Sequence, residues 1–444
     1  MKGAMSKRND DFFVEKKEWS RVKDTLLGSY LPAYFAKILA SRKPTVYIDC
    51  FAGAGQFEDG EVGSPIIALR ERANALIHTN TQSAQIDMYF IEPKFDNELR
   101  KAIRPFADNK CGGKAEVISG EFQSAIRDII NRYSNANIFL YIDPFGVKFL
   151  DFNLICEIAR MCGNRIEILV NFNSFGFIRA ACRACEVSGM DLEDGIELEE
   201  REEFSFDDEL EPVKLLSRIV GGGYWKQYIL ELKNQKRDKK IKSPAIEVER
   251  RMSHAVKEHL EGAFKYVLDI PVCVKTKSYP KYRLVHACNH PDGCVLMADN
   301  MIKRSEEIFH DIQNKTGQEY LFDMDAAQDF VDAAKIESGV VDSLLRLDLN
   351  MSEACKKSLG ITGLPRIGHA KSSLMADFFN KNGVMCSSAD IVDVLKALER
   401  KGVIEVDRSP STGRDGRPLR YWTENKDHRL FIKLADGFQG GRVE

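Results

Sequence analysis

The sequence predicts an α/β protein built on a mostly parallel, Rossmann-like sheet, with a helical insertion and a C-terminal winged helix-turn-helix. Three observations predict it. Five short apolar runs alternate with helical stretches through the first 170 or so residues. A late pair of β-rich runs, Tyr266–Pro271 and Tyr282–Ala287, can close the same sheet as an antiparallel hairpin. The last eighty or so residues then read as helix, helix and two strands.

The elements follow in order. Val22, Leu26, Leu27, Tyr30, Leu31 and Phe35 share one face, so the first forty residues read as helix. The strands are Thr45–Asp49, Met88–Glu92, Ala115–Ile118, Ile138–Asp143 and Arg165–Asn171. Their near-continuous apolar character is that of strands covered on both faces. Ser64–Ile77, Phe95–Ala107, Glu121–Tyr133 and Phe152–Met161 are the intervening helices, with Ser64 as N-cap and Pro65 at the first helical position. Between Glu186 and Glu211 roughly a dozen acidic residues form a solvated insertion. The expected domains are 1–310, with the insertion at about 186–242, a helical linker over 311–365, and the winged-helix module over 366–444.

A chain of 444 residues with 44% hydrophobic and 30% charged residues is globular and needs more than one core. Its net charge of -3 excludes a generally basic nucleic-acid binder and leaves only local patches. Eleven cysteines, an odd number without regular spacing, read as reduced thiols. With no secretory signal and no apolar run long enough to span a bilayer, the expectation is a cytoplasmic protein without a membrane partner.

The chemistry is expected at the strand ends. Asp49 closes the first strand and runs into Phe51-Ala52-Gly53-Ala54-Gly55, where glycines let the backbone approach a ligand. Glu58 stands where a dinucleotide fingerprint needs Gly or Ala, and no Gly-Lys-Ser/Thr phosphate loop exists. Glu92 ends the second strand, placed to accept from ribose hydroxyls, and Glu121 follows the third, placed at an adenine edge. Together they read as an S-adenosylmethionine site: Asp49, Phe51, Gly53, Gly55, Glu92 and Glu121. The acidic loop Phe57–Gly63 reads as its lid or as a solvated turn.

Asp143-Pro144-Phe145-Gly146 follows the fourth strand, where amino-group methyltransferases carry Asp/Asn-Pro-Pro-aromatic. A carboxylate and a carbonyl there accept the hydrogens of the target nitrogen while a ring stacks on the base. The catalytic set is therefore Asp143, Pro144 and Phe145, although Gly146 takes the usual place of the aromatic residue. Asn171 is a further candidate for the pocket wall. Cys182-x-x-Cys185 and the group His286, Cys288, His290 and Cys294 have partial metal-ligand spacing, but no metal is expected. In the wing, Arg408, Arg414, Arg417 and Arg420 are placed to bind nucleic-acid phosphates.

The chain resembles the three-Cys-motif partner family, bacterial proteins with a methyltransferase-like fold. The resemblance rests on Tyr47-Ile48-Asp49, Phe51-Ala52-Gly53 and Gly55, then on Asp59-Gly60-Glu61 with Gly63-Ser64-Pro65. Tyr141-Ile142-Asp143-Pro144-Phe145-Gly146, Val170-Asn171-Phe172 and Asn289-His290-Pro291 extend it over roughly the first three hundred residues. It implies a genetic partner, a three-Cys-motif protein resembling radical S-adenosylmethionine enzymes. The expected function is S-adenosylmethionine-dependent methylation of an amino nitrogen on a DNA or RNA base. The alternative is a non-catalytic scaffold of the same fold that binds nucleic acid or that partner protein.

Overall fold

The computed structural model describes residues 18–79, 85–107, 112–185, 212–238, 244–273, 280–316, 321–322, 332–359, 368–413, 415–425 and 427–436. The helical reading of residues 1–17, the acidic run 186–211 and Arg414 lie outside the described residues. The chain divides into two compact units, residues 1–289 with 303–323, and residues 290–302 with 324–444.

The first unit runs α1 (Glu18–Ala40), β1 (Thr45–Asp49), α2 (Ser64–Thr79), β2 (Ile86–Ile91), α3 (Asp96–Ala107) and β3 (Ala115–Ile118). It continues with α4 (Phe122–Asn131), β4 (Asn137–Ile142), α5 (Phe152–Cys162), β5 (Ile166–Phe172) and α6 (Ser174–Ala184). Helices α7 (Pro212–Ile219), α8 (Trp225–Asp238) and α9 (Pro244–Glu261) lead into β6 (Tyr266–Cys273) and β7 (Pro280–Cys288). Helix α10 (Pro291–Thr316) is shared between the units, and the two-residue β8 (Leu321–Phe322) returns to the sheet.

The strand order is β3-β2-β1-β4-β5-β7-β6-β8. Pairings from β3 to β5 are parallel, and β7 runs antiparallel to both β5 and β6. The expected hairpin therefore exists, and its second strand inserts beside β5. The sheet is covered by helices on both faces. Val46, Ile48, Ile138 and Leu140 pack with Phe122, Ile126 and Ile155 of α4 and α5. On the other face Tyr47 stacks on Phe139 at 5.9 Å between ring centres, and Tyr34 of α1 lies 5.0 Å from Phe139. All five residues of β1 are buried, as a doubly covered strand requires.

Helix α2 begins where expected, but its cap differs. The Gly63 carbonyl accepts the first helical bond from Ile67 N at 3.2 Å, so Gly63 is the N-cap residue. The Ser64 hydroxyl instead donates to Asp49.

The second unit contains α11 (Ala333–Leu359), β9 (His369–Ala370), α12 (Lys371–Asn382), α13 (Ser388–Arg400), β10 (Ile404–Ser409) and β11 (Arg429–Leu434). Its sheet has the order β10-β11-β9, and α11 packs on α12 and α13. Ser387 and Asp390 form a capping box at the start of α13, and Gly402 follows it with a φ of 71°. The strand expected at Leu419–Trp422 is not formed. Leu419 N closes a narrow finger onto the Ser411 carbonyl. The Tyr421 and Trp422 carbonyls accept from the Arg408 and Lys371 side chains. Strand β11, with Leu430, Ile432 and Leu434 turned inward, pairs with β10 instead.

Candidate functional site

Strands β1 and β4 are neighbours whose following connections run in opposite directions across the sheet, and such a switch point leaves a crevice at the carboxyl ends of the strands. Asp49 stands there with no solvent exposure. Its Oδ1 accepts from Phe51 N at 3.2 Å and its Oδ2 from the Ser64 hydroxyl at 2.6 Å. Burial pushes its carboxyl up to about 7; those two donors oppose the rise, and the Asp143 and Asp24 carboxylates add to it.

Glu92 ties the loop to β2. Its Oε2 accepts from Gly53 N at 2.9 Å, and its Oε1 from Lys94 N at 2.8 Å and Phe95 N at 3.1 Å. Gly53 and Gly55 adopt φ values of 62° and 80°. Gly55 has a second constraint, since a Cβ there would lie 2.9 Å from Leu99 Cδ1 and 3.2 Å from Ala102 Cβ. Gly55→Ala is thus expected to cost about 2 to 4 kcal/mol, from left-handed strain plus overpacking against α3. A lowered denaturant midpoint for the first unit checks this.

The loop read as a lid is a small hairpin. Gln56 and Val62 form an antiparallel bridge, Phe57 N donates to the Glu61 carbonyl at 2.9 Å, and Gly63 N returns to the Gly55 carbonyl at 2.9 Å. Glu61 lies 3.7 Å from Arg21 of α1.

Asp143 lies just beyond β4, beside Asn171 of β5. Lys23 of α1 donates to both of its oxygens, at 2.8 and 2.7 Å, and Asn171 Nδ2 donates to Oδ1 at 2.7 Å. The Lys23 ammonium also sits 5.3 Å from the centre of the Tyr282 ring. Lys23 is the residue that sequence reasoning missed. A signal for it existed, because Lys23, Leu27, Tyr30 and Tyr34 share a helical stripe that is otherwise apolar or aromatic. Asn171 Oδ1 is buried and has no hydrogen-bond partner among the described residues.

The remaining expected residues are spread more widely. Phe145 is 41% exposed, and Pro144 beside it is half-buried. A Cβ at Gly146 would meet nothing within 4 Å. Phe51 packs its ring 5.6 Å from Phe122, toward the α4 side of the sheet. Glu121 is exposed at the N-cap of α4, and its side chain makes no capping bond.

Two buried polar clusters involve β5, β7 and β6. Glu167 accepts from the Tyr30 hydroxyl and pairs with His286 Nε2 at 2.9 Å. Arg283 holds Glu249 through two nitrogens at 2.7 Å and Asp269 at 2.8 Å. His286 is thus engaged within the sheet, and His290 Nδ1 accepts from Asp292 N in a turn. Among the described residues no group of three His, Cys, Asp or Glu side chains is arranged to hold a metal ion. No described helix is long and apolar enough to cross a membrane.

In the second unit Arg408 is 9% exposed and makes a bidentate pair with Glu399, at 2.8 and 3.0 Å. Its guanidinium also lies 5.5 Å from the Trp422 ring centre. Arg417 and Arg420 are exposed. Compared with known proteins, the chain matches no family model and no curated protein.

Proposed function

We propose that the first unit binds S-adenosylmethionine at the Asp49–Gly55 loop and directs its methyl group to an amino nitrogen, the acceptor class being a nucleic-acid base. One observation carries the reading: the β1 loop at the switch point is pinned through Gly53 N to Glu92 at the end of the adjacent strand. The sheet order supports it too. A dinucleotide sheet of the order 3-2-1-4-5-6 has no reversed strand between the fifth and sixth, whereas β7 takes that place here.

The charge of the site fits the cofactor. The Asp24 and Asp143 carboxylates both act on Asp49, and Lys23 pairs with Asp143. A pyrophosphate would add negative charge to this group, while a ligand carrying a sulfonium and an ammonium relieves it. When bound, S-adenosylmethionine supplies an activated methyl group. Asp49 and Glu92 hold loop and ligand, and Asn171 Oδ1 and the Asp143 carboxylate are acceptors for the hydrogens of the target amine. Phe145 offers an exposed ring for stacking on a base.

Lys23 favours a second reading. It occupies the carboxylate assigned to the substrate, as expected of a scaffold that keeps the fold, binds a nucleic acid or a three-Cys-motif protein, and performs no transfer. Calorimetric titration of the full chain with S-adenosylmethionine, followed by a tritiated-methyl assay on DNA and RNA, separates the two. Glu92→Gln sets an NH2 against Gly53 N and is expected to weaken cofactor binding about 10- to 100-fold. Unchanged affinity in that variant removes the loop from the site. Binding without transfer selects the scaffold.

A further inference from the structure

The arginines of the second unit divide into two groups with different chemistry. Arg408 is consumed at the root of the finger 411–419 by Glu399, the Tyr421 carbonyl and the Trp422 ring. The finger itself is held by its backbone. Thr412 and Pro418 form a bridge, Gly413 N donates to the Arg417 carbonyl at 2.9 Å, and Gly416 turns at a φ of 75°. On it the Arg417 side chain is 86% exposed, and its neighbour Asp415 lies 3.6 Å away with 62% exposure. So solvated a pair is weak enough for a phosphate to replace. Arg420 follows on the surface, and Arg429 is exposed at the start of β11, opposite Ser409.

Helix α13 has the opposite character. It carries Asp390, Asp393 and Glu399 against Lys396 and Arg400. Lys396 is paired with Asp393 at 2.9 Å, and Arg400 Nε donates to the Lys396 carbonyl. The Asp393 side chain is 75% exposed. Laid in a major groove, this helix would bring an exposed carboxylate between two rows of phosphates.

We infer that the second unit binds the phosphodiester backbone of nucleic acid through the finger and the surface beside it, with Arg417, Arg420 and Arg429 as contacts, and that α13 reads no bases. Binding is then indifferent to sequence and governed by counterion release. The inference shares with the proposed function only the class of partner, and it stands whether or not a methyl group is transferred.

The test is fluorescence anisotropy of the full chain at low ionic strength, with a labelled mixed-sequence duplex and with a single strand of the same length. Three phosphate contacts predict a slope of log affinity against log salt of about -2.7 on duplex and about -2 on a single strand. Scrambling the sequence leaves it unchanged. Arg417→Ala and Arg420→Ala, exposed and harmless to the fold, each lower the duplex slope by about 0.9 and weaken binding about tenfold. Lys396→Ala with Arg400→Ala changes neither. Loss of binding in that α13 variant with the finger intact overturns the inference. So does the absence of salt-dependent binding to either nucleic acid, the result expected if the finger serves a protein partner. Finger variants keep cofactor affinity and Glu92→Gln keeps nucleic-acid affinity, so failure of this inference is distinguishable from failure of the cofactor site.

Discussion

Asp49→Asn is expected to make the first unit more stable and to weaken the S-adenosylmethionine binding proposed for it. Asparagine keeps both local bonds, accepting from Phe51 N and meeting the Ser64 hydroxyl with its amide. What it removes is a charge held without solvent exposure. A carboxyl raised from 3.8 to about 7 in the folded chain favours folding least where it must ionise. The sign follows from linkage. Below the unfolded value both states are protonated and the residue costs nothing. The cost grows as pH rises from about 4, and is complete above about 7, at roughly 4 kcal/mol. The stability gap between Asp49→Asn and the parent chain therefore opens between pH 4 and 7 and is flat beyond. Cofactor binding moves the other way. A cationic ligand selects ionised Asp49, so the parent affinity rises up to about tenfold per pH unit below 7 and levels off above. Asp49→Asn loses that dependence and, with the charge-assisted bond gone, about 10- to 100-fold in affinity. Thermal melts and calorimetry across pH 5 to 8 measure both. Stabilisation with unchanged binding would make Asp49 a structural acid and move the cofactor elsewhere.

How much of this was legible depended on the range of the interaction involved. Strands buried on both faces leave runs such as Thr45–Asp49 and Ile166–Phe172, which no amphipathic helix imitates, so the parallel part of the sheet could be read directly. The hairpin of β6 and β7 was legible as a pair, but not its insertion beside β5, because pairing order is not written in local pattern. Leu419–Trp422 has strand composition, yet its carbonyls are spent on Arg408 and Lys371, partners 13 and 51 residues away. Ser64 has the right type for a cap, and its hydroxyl went to Asp49, 15 residues back. Glu92 was placed by its position at a strand end, though not as the anchor of Gly53. Asp143 was placed as well, but its partner Lys23 lies 120 residues earlier on a helix. Only the fold brings long-range pairs of this kind together.

Lys23→Met is the change that tests what Asp143 is for. The Lys23 and Asp143 side chains are only 11% and 19% exposed, so removing the cation strands a largely buried carboxylate. For fully buried pairs this costs about 3 to 5 kcal/mol. Asn171 still donates to Asp143, and a fifth of the Asp143 side chain is open to water, so a loss below that range is expected, about 2 to 3 kcal/mol. Asp143→Asn alone strands Lys23 in turn. The double variant removes both charges and should recover most of the loss, giving a coupling of about 1 to 3 kcal/mol between two residues far apart in sequence. Stability alone makes Asp143 half of an ion pair. The methyl-transfer assay on the same set decides whether it is more. If Asp143 also holds the acceptor amine, Lys23→Met frees its oxygens and preserves or raises transfer, while the folded double variant is deficient in turnover at unchanged cofactor affinity. If the double variant transfers methyl groups as well as the parent chain, the carboxylate only pins α1 to the sheet. The acceptor role then falls to Asn171, whose Oδ1 is buried at the same edge with no partner among the described residues.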